Sequence, residues 1–203
     1  MLQAITIRIL ETGRNLKLKG VCIMDLFKKT ICMASLIAVF ILTTIFSASA
    51  AANSVGSGND DWWTNYPEQS TGAGMEVKHP SWVLDALEKK PVLIYVHKEC
   101  SYCAPQTAAV TNVSDEFKGD ITYYEIKADG GDSRAEEALQ AYDPNGDISY
   151  VPMTIIVTLA PNSEGKVEPV WHSTEDVTGD DWIKNYVEDA ISYYDENSSN
   201  WKK

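Results

Sequence analysis

The most constraining stretch of the chain is Val92 to Gln106, VLIYVHKECSYCAPQ. Val92 to His97 is a short, β-prone and mostly apolar run, the pattern of a strand buried on both faces. Ala104 to Phe117 follows with Ala108, Val110, Val113 and Phe117 along one side, which predicts a helix. Cys100 and Cys103 fall where the buried strand hands over to the helix. The spacing leaves three readings open: a redox pair, part of a metal site with His97, or a loop that happens to carry cysteine.

The remaining elements follow from periodicity and turn chemistry. Pro80-Ser81-Trp82 opens a helix with Trp82, Val83, Ala86 and Leu87 at helical spacing, ended by Lys89-Lys90-Pro91. Ile121 to Ile126 reads as a second strand. Ser133 to Tyr142 reads as a helix, with Ser133 as cap and Glu136 three residues on. Met153 to Leu159 and Val167 to His172 read as two strands of a hairpin turning at Asn162 to Lys166. Trp182, Ile183, Tyr186, Val187, Ala190 and Ile191 line a last helix. A β-α-β unit makes a parallel pair with a right-handed crossover, and the hairpin makes an antiparallel one. The expected architecture is therefore α/β, with a mixed four-stranded sheet and helices on both faces.

Domain organisation follows from composition. Met24 to Ala52 has a short basic region (Lys28, Lys29), an apolar run from Ile31 to Phe46, and the small residues Ala48-Ser49-Ala50. That is the layout of a secretory leader, cleaved near Ala50. A retained anchor through residues 31–46 is the alternative, although the run falls short of the ~20 residues that span a bilayer comfortably. Residues 1–23 sit awkwardly before this leader and suggest a misassigned start at Met1, or a cytoplasmic extension. Residues 53–77 are rich in turn formers and read as a linker, in which Trp62, Trp63 and Tyr66 are expected to dock on the domain that follows. The folded domain is expected over 78–193, with a polar tail at 194–203. The expected location is extracytoplasmic.

Residues 1–52 hold six basic and two acidic residues, so the rest of the chain carries a net charge of −16. Such a surface repels phosphate backbones and anionic lipid, so nucleic acid is not expected as a partner. Of the four cysteines, Cys22 and Cys32 lie in or before the leader. The exported part then keeps only Cys100 and Cys103. A C-x-x-C closes almost no loop and stabilises little by chain entropy. Chemistry explains the pair better than stapling does.

The element order, with Lys90-Pro91-Val92-Leu93-Ile94-Tyr95-Val96, Cys100-Ser101-Tyr102-Cys103 and Val151-Pro152-Met153-Thr154, resembles the thioredoxin-like family over residues 78–193. The additional helix before the first strand is similar to the exported members. The resemblance implies an exported thiol–disulfide oxidoreductase. The free N–H groups at the start of the helix favour thiolate at Cys100, and only a thiolate attacks a disulfide. Cys100 is then the nucleophile, and the more buried Cys103 resolves the mixed disulfide. Pro152 matches the family's cis-proline, which faces the pair, and Val151 before it offers backbone groups to a bound peptide. Tyr102 is a substrate-contact ring, while Glu99, Ser101 and His97 shape and tune the site. No metal and no dissociable cofactor is implied beyond the redox-active disulfide. The partners implied are protein thiols and disulfides and a membrane or soluble redox partner, and a monomer is expected.

The chain departs from the family in places. Ile94 stands where many members carry a buried carboxylate, six residues before the first cysteine. Glu99 opposes thiolate formation at Cys100, while Lys98 and the helix terminus favour it. Pro105 lies early in the helix. Two other readings stay in view. His97-x-x-Cys100-x-x-Cys103 offers three ligands suited to zinc or copper. A non-catalytic binding module would use the acidic surface and Trp62-Trp63. Ala104 after the second cysteine excludes C-x-x-C-H haem attachment. Asp143-x-Asn145-x-Asp147 mimics a calcium loop, but Thr154 stands where the twelfth-position Glu belongs, so it reads as a turn.

Overall fold

A computed structural model describes residues 53–146 and 148–203. The leader and its apolar run, Cys22, Cys32 and Asp147 lie outside the described residues. In chain order the elements are β1 (Val55–Gly56), β2 (Trp62–Trp63), α1 (Ser81–Leu87), β3 (Val92–His97), α2 (Cys103–Glu116), β4 (Thr122–Lys127), α3 (Ser133–Ala141), β5 (Met153–Pro161), β6 (Val167–Thr174) and α4 (Asp180–Asn197). A short 3-10 turn, Ser198–Asn200, follows. The sheet order is β1-β2-β6-β5-β3-β4. β3 and β4 are parallel, joined by α2, and β5 runs antiparallel to both β3 and β6.

The period of two along β3 explains the layering. Val92, Ile94 and Val96 pack in one core with residues of α1 and α3, alongside Ile155 and Val157 of β5. Leu93 and Tyr95 pack in a second core with Ala109, Val110 and Val113 of α2 and Ile183, Tyr186 and Val187 of α4. Every residue of β3 is buried, as a central strand covered on both faces must be. The hairpin between β5 and β6 closes at Gly165, whose φ of +78° lies in the left-handed region that favours glycine. Its N–H donates to Asn162 O at 2.9 Å.

The sheet has six strands, not four. Residues 53–77, expected as a linker, supply the two extra strands. β2 pairs with β6, with Trp63 opposite Trp171, and β1 adds to β2. The cause is the tryptophan pair. Trp62 is 0% and Trp63 1% exposed. Trp62 meets Tyr186 edge-on at 5.5 Å between ring centroids, and Trp63 stacks on His172 at 4.2 Å. Turn-forming residues around the pair make tight returns between anchors: Asp61 accepts from Ser54 Oγ and Gly58 N–H. Asn53 is tied to α4, donating to Asp189 Oδ2 from both its backbone and side-chain nitrogens. Trp62→Ala is expected to cost about 3–5 kcal/mol, read as a lower denaturation midpoint. A loss below about 1 kcal/mol would show that this segment is not part of the cooperative unit.

Two smaller boundaries also differ. The cap of α3 is Asp132, not Ser133: its side chain accepts from Arg134 N–H at 3.0 Å. Residues 194–203, expected as a polar tail, extend α4 to Asn197, and Tyr194 and Trp201 pack against the core on the α1 side. Lys203 pairs with Asp85 on α1.

Candidate active site

The cysteine pair sits at the end of the central strand because β3 stops at His97 and α2 starts at Cys103. The turn opens at Cys100, whose carbonyl accepts from the N–H groups of Cys103 and Ala104 at 3.2 and 3.3 Å. Cys100 and Cys103 form a disulfide, with Cα atoms 5.1 Å apart. The two cysteines differ in access: Cys100 is half-buried, whereas Cys103 is 2% exposed. The Cys103 N–H donates to Cys100 Sγ at 3.0 Å. This N–H and the positive end of α2 favour negative charge on that sulfur when the pair is reduced.

Around the pair, Ser101 and Tyr102 are exposed, Tyr102 at 72%. Glu99 is exposed, with its carboxylate 4.0 Å from Lys127 Nζ, a surface pairing worth little energetically. His97 is 7% exposed. Its ring stacks on Tyr95 at 4.8 Å, and its Nε2 lies 2.9 Å from Glu125 Oε1 on β4, close but not aligned as a hydrogen bond. Among the described residues, no three His, Cys, Asp or Glu side chains are grouped to hold a metal. Ile94 is fully buried in the aliphatic core on the α1 and α3 side.

Val151 and Pro152 come to the same end of the sheet through register. Met153, the next residue, stands opposite Val96 on β3. The Val151–Pro152 peptide is cis. The segment before it presents Ile148 and Tyr150, 69% and 60% exposed. Tyr150 N–H donates to Glu175, which also accepts from Asn145 Nδ2 at 2.8 Å.

Three residues at the site escaped the sequence reading. Tyr95, read only as a strand residue, extends its hydroxyl to Cys103 O at 3.0 Å and to Thr107 Oγ1 at 3.0 Å. Burial pushes the Tyr95 phenol above its ordinary pKa, so it stays a neutral hydrogen-bonding group. Thr107 donates to the same carbonyl at 2.8 Å. Gln106, three residues after Cys103, is 0% exposed. Its Nε2 donates to Thr154 Oγ1 at 2.8 Å and to Thr178 Oγ1 at 3.1 Å, and its Oε1 accepts from Thr178 N–H at 2.8 Å. The one available signal was spacing: Gln106 is a polar residue at i+3 from the buried cysteine, on the face α2 turns inward.

No family model matches the chain, and no curated protein matches it. Among solved structures it is distantly similar to one described as the structure of a malarial protein. That likeness has 12% identity and a TM-score of 0.34, covering 48% of this chain and 94% of the other. A second is thioredoxin-2, a component of the malaria parasite protein secretion machinery. It has 10% identity and a TM-score of 0.35, covering 58% of this chain and 88% of that one. The chain is thus an α/β protein with a mixed six-stranded sheet, carrying a C-x-x-C disulfide where the central strand meets α2, and distantly similar in structure to a thioredoxin.

Proposed function

We propose that the protein is a thiol–disulfide oxidoreductase that exchanges disulfides with polypeptide substrates. The observation that carries this reading is the asymmetry of the pair. Cys100 is only half-buried and its sulfur accepts the Cys103 N–H at 3.0 Å at the start of α2, while Cys103 is buried. That geometry suits attack by Cys100 and resolution by Cys103. In the reducing direction, the Cys100 thiolate attacks a substrate disulfide, forming a mixed disulfide and releasing one substrate thiolate. Cys103 then gives up its proton and attacks Cys100 Sγ, closing the disulfide and releasing the second thiolate. Oxidation of a substrate dithiol runs through the same steps in reverse.

Exposed Tyr102, Ile148 and Tyr150 near this end of the sheet favour a polypeptide over a small thiol as substrate. The Val151 backbone is the docking edge suggested for an extended segment. The leader pattern at 24–52 supports an extracytoplasmic setting, where a partner would recharge the pair.

The test is a redox titration of the full chain, with Cys22 and Cys32 replaced by serine, in a thiol buffer. Reversible two-electron cycling of Cys100–Cys103 is expected. A midpoint near roughly −270 mV would mark a reductant and one near roughly −120 mV an oxidant. A pair that does not cycle would overturn the reading.

A further inference from the structure

The turn that carries Cys103 is held by a buried polar clamp that the exchange chemistry above does not use. Tyr95, Thr154 and Thr174 stand in register across β3, β5 and β6. Two members of this row reach α2. Tyr95 holds the Cys103 carbonyl, and Thr154 holds the Gln106 side chain one turn further on. From the other side, Thr178 in the loop before α4 bonds both ends of the same amide. A fully buried amide is costly unless its groups are paired. Here the partners come from two elements, Thr154 of β5 and Thr178 of the loop before α4, so α2 is tied to both. β5 begins one residue after Pro152.

We infer that Gln106 is a positioning residue for resolution: clamped to Thr154 and Thr178, it keeps Cys103 aligned on Cys100 once the covalent bond between them is open. This rests on the redox reading above and assigns the second step of that exchange. In the oxidised protein the disulfide itself fixes the two sulfurs. In the mixed disulfide that link is absent, and the approach of Cys103 depends on how firmly the first turns of α2 are seated. In-line attack on a disulfide is sensitive to small misplacements. The first step is less sensitive, because an outside disulfide aligns itself on Cys100 and needs only the Cys103 N–H and the start of α2 to favour the thiolate.

The two steps can be separated with the chromogenic aryl disulfide dithionitrobenzoate and the reduced full chain, Cys22 and Cys32 again replaced by serine. Cys100 thiolate attacks the reagent, breaking its S–S bond, forming a Cys100–aryl mixed disulfide and releasing one coloured thiolate. Cys103 loses its proton to solvent and attacks Cys100 Sγ, forming the protein disulfide and releasing the second. Two protein thiols are oxidised and one reagent disulfide is reduced. Gln106→Leu is expected to slow the second release about tenfold or more and to change the first far less. Gln106→Glu accepts from the Thr178 N–H and both hydroxyls, and is expected to restore the second release. Thr178→Val, a milder change, should slow mainly the second release and serves where Gln106→Leu does not fold. A second release as fast as wild type in the folded variants would overturn the inference, as would Gln106→Glu remaining as slow as Gln106→Leu. A wild-type protein that releases no second equivalent would overturn the redox reading, and the inference with it.

Discussion

Cys103→Ser is expected to accumulate a mixed disulfide on Cys100, whereas Cys100→Ser is expected to form none. The buried Cys103 is the group placed to release a trapped substrate, so its loss should slow release by on the order of 10³-fold or more, as removal of a nucleophile does. The experiment is incubation of each variant, in reduced form, with an oxidised polypeptide, followed by non-reducing mass analysis. Adducts on Cys100 in the first variant alone would establish the order of attack. Adducts on neither would sink the exchange reading. Equal adducts in both would mean that access does not distinguish the sulfurs, contrary to the 2% exposure of Cys103. The serine change at Cys103 is small and keeps the backbone bonds of the turn, so a folding defect is not expected to obscure the result.

The second large effect concerns acid stability. His172 is 3% exposed, stacked between Trp63 and Tyr186 with centroids 4.2 Å from each. Burial lowers its pKa to about 4, against the opposing bond to Asp61 O and the charges of Asp60 and Asp61. Burial also lowers His79 to about 4; its Nδ1 lies 3.0 Å from the Tyr142 hydroxyl. In the unfolded chain both histidines titrate near pH 6.5. Between about 4 and 6.5 the unfolded state therefore binds protons that the folded state refuses, and stability rises with pH. It should be flat above that window and fall as pH drops through it. For His172 the full effect approaches about 3 kcal/mol; the partly exposed His79 contributes less. Denaturation midpoints measured from about pH 8 to about pH 4 test this. His172→Phe keeps the stack and removes the proton site, so its profile should be markedly flatter. An unchanged slope in that variant would mean that His172 does not govern the acid limb, since Asp61, whose pKa is held down by Ser54, loses its contribution mainly below this window.

The two halves of the site were unequally visible beforehand. A C-x-x-C between a mostly apolar, β-prone run and a run with one apolar side reads as a strand-to-helix junction, because local periodicity points to both neighbours. The order of the four central strands and four helices follows from the same local signals, and so does the placement of Val151-Pro152 ahead of β5. These features depend on residues close together in the chain.

The features that were not legible depend on residues far apart. Gln106 meets Thr154 across 48 positions and Thr178 across 72, and beyond its i+3 spacing from Cys103 nothing near it in sequence marks it as buried rather than solvated. His97 reads as a strand-end residue that shapes the site, and nothing around it in sequence shows that β4 brings Glu125 to its ring. The stretch from Asn53 to Gly74 has the composition of a linker, because composition counts turn formers and is blind to what two indoles can bury. Trp62 and Trp63 meet Tyr186, His172 and Trp171 through α4 and β6, which lie more than a hundred residues further along the chain. Local pattern dictates which elements form, while the burial of side chains between elements distant in sequence dictates which edges pair and which polar groups are locked around the sulfurs.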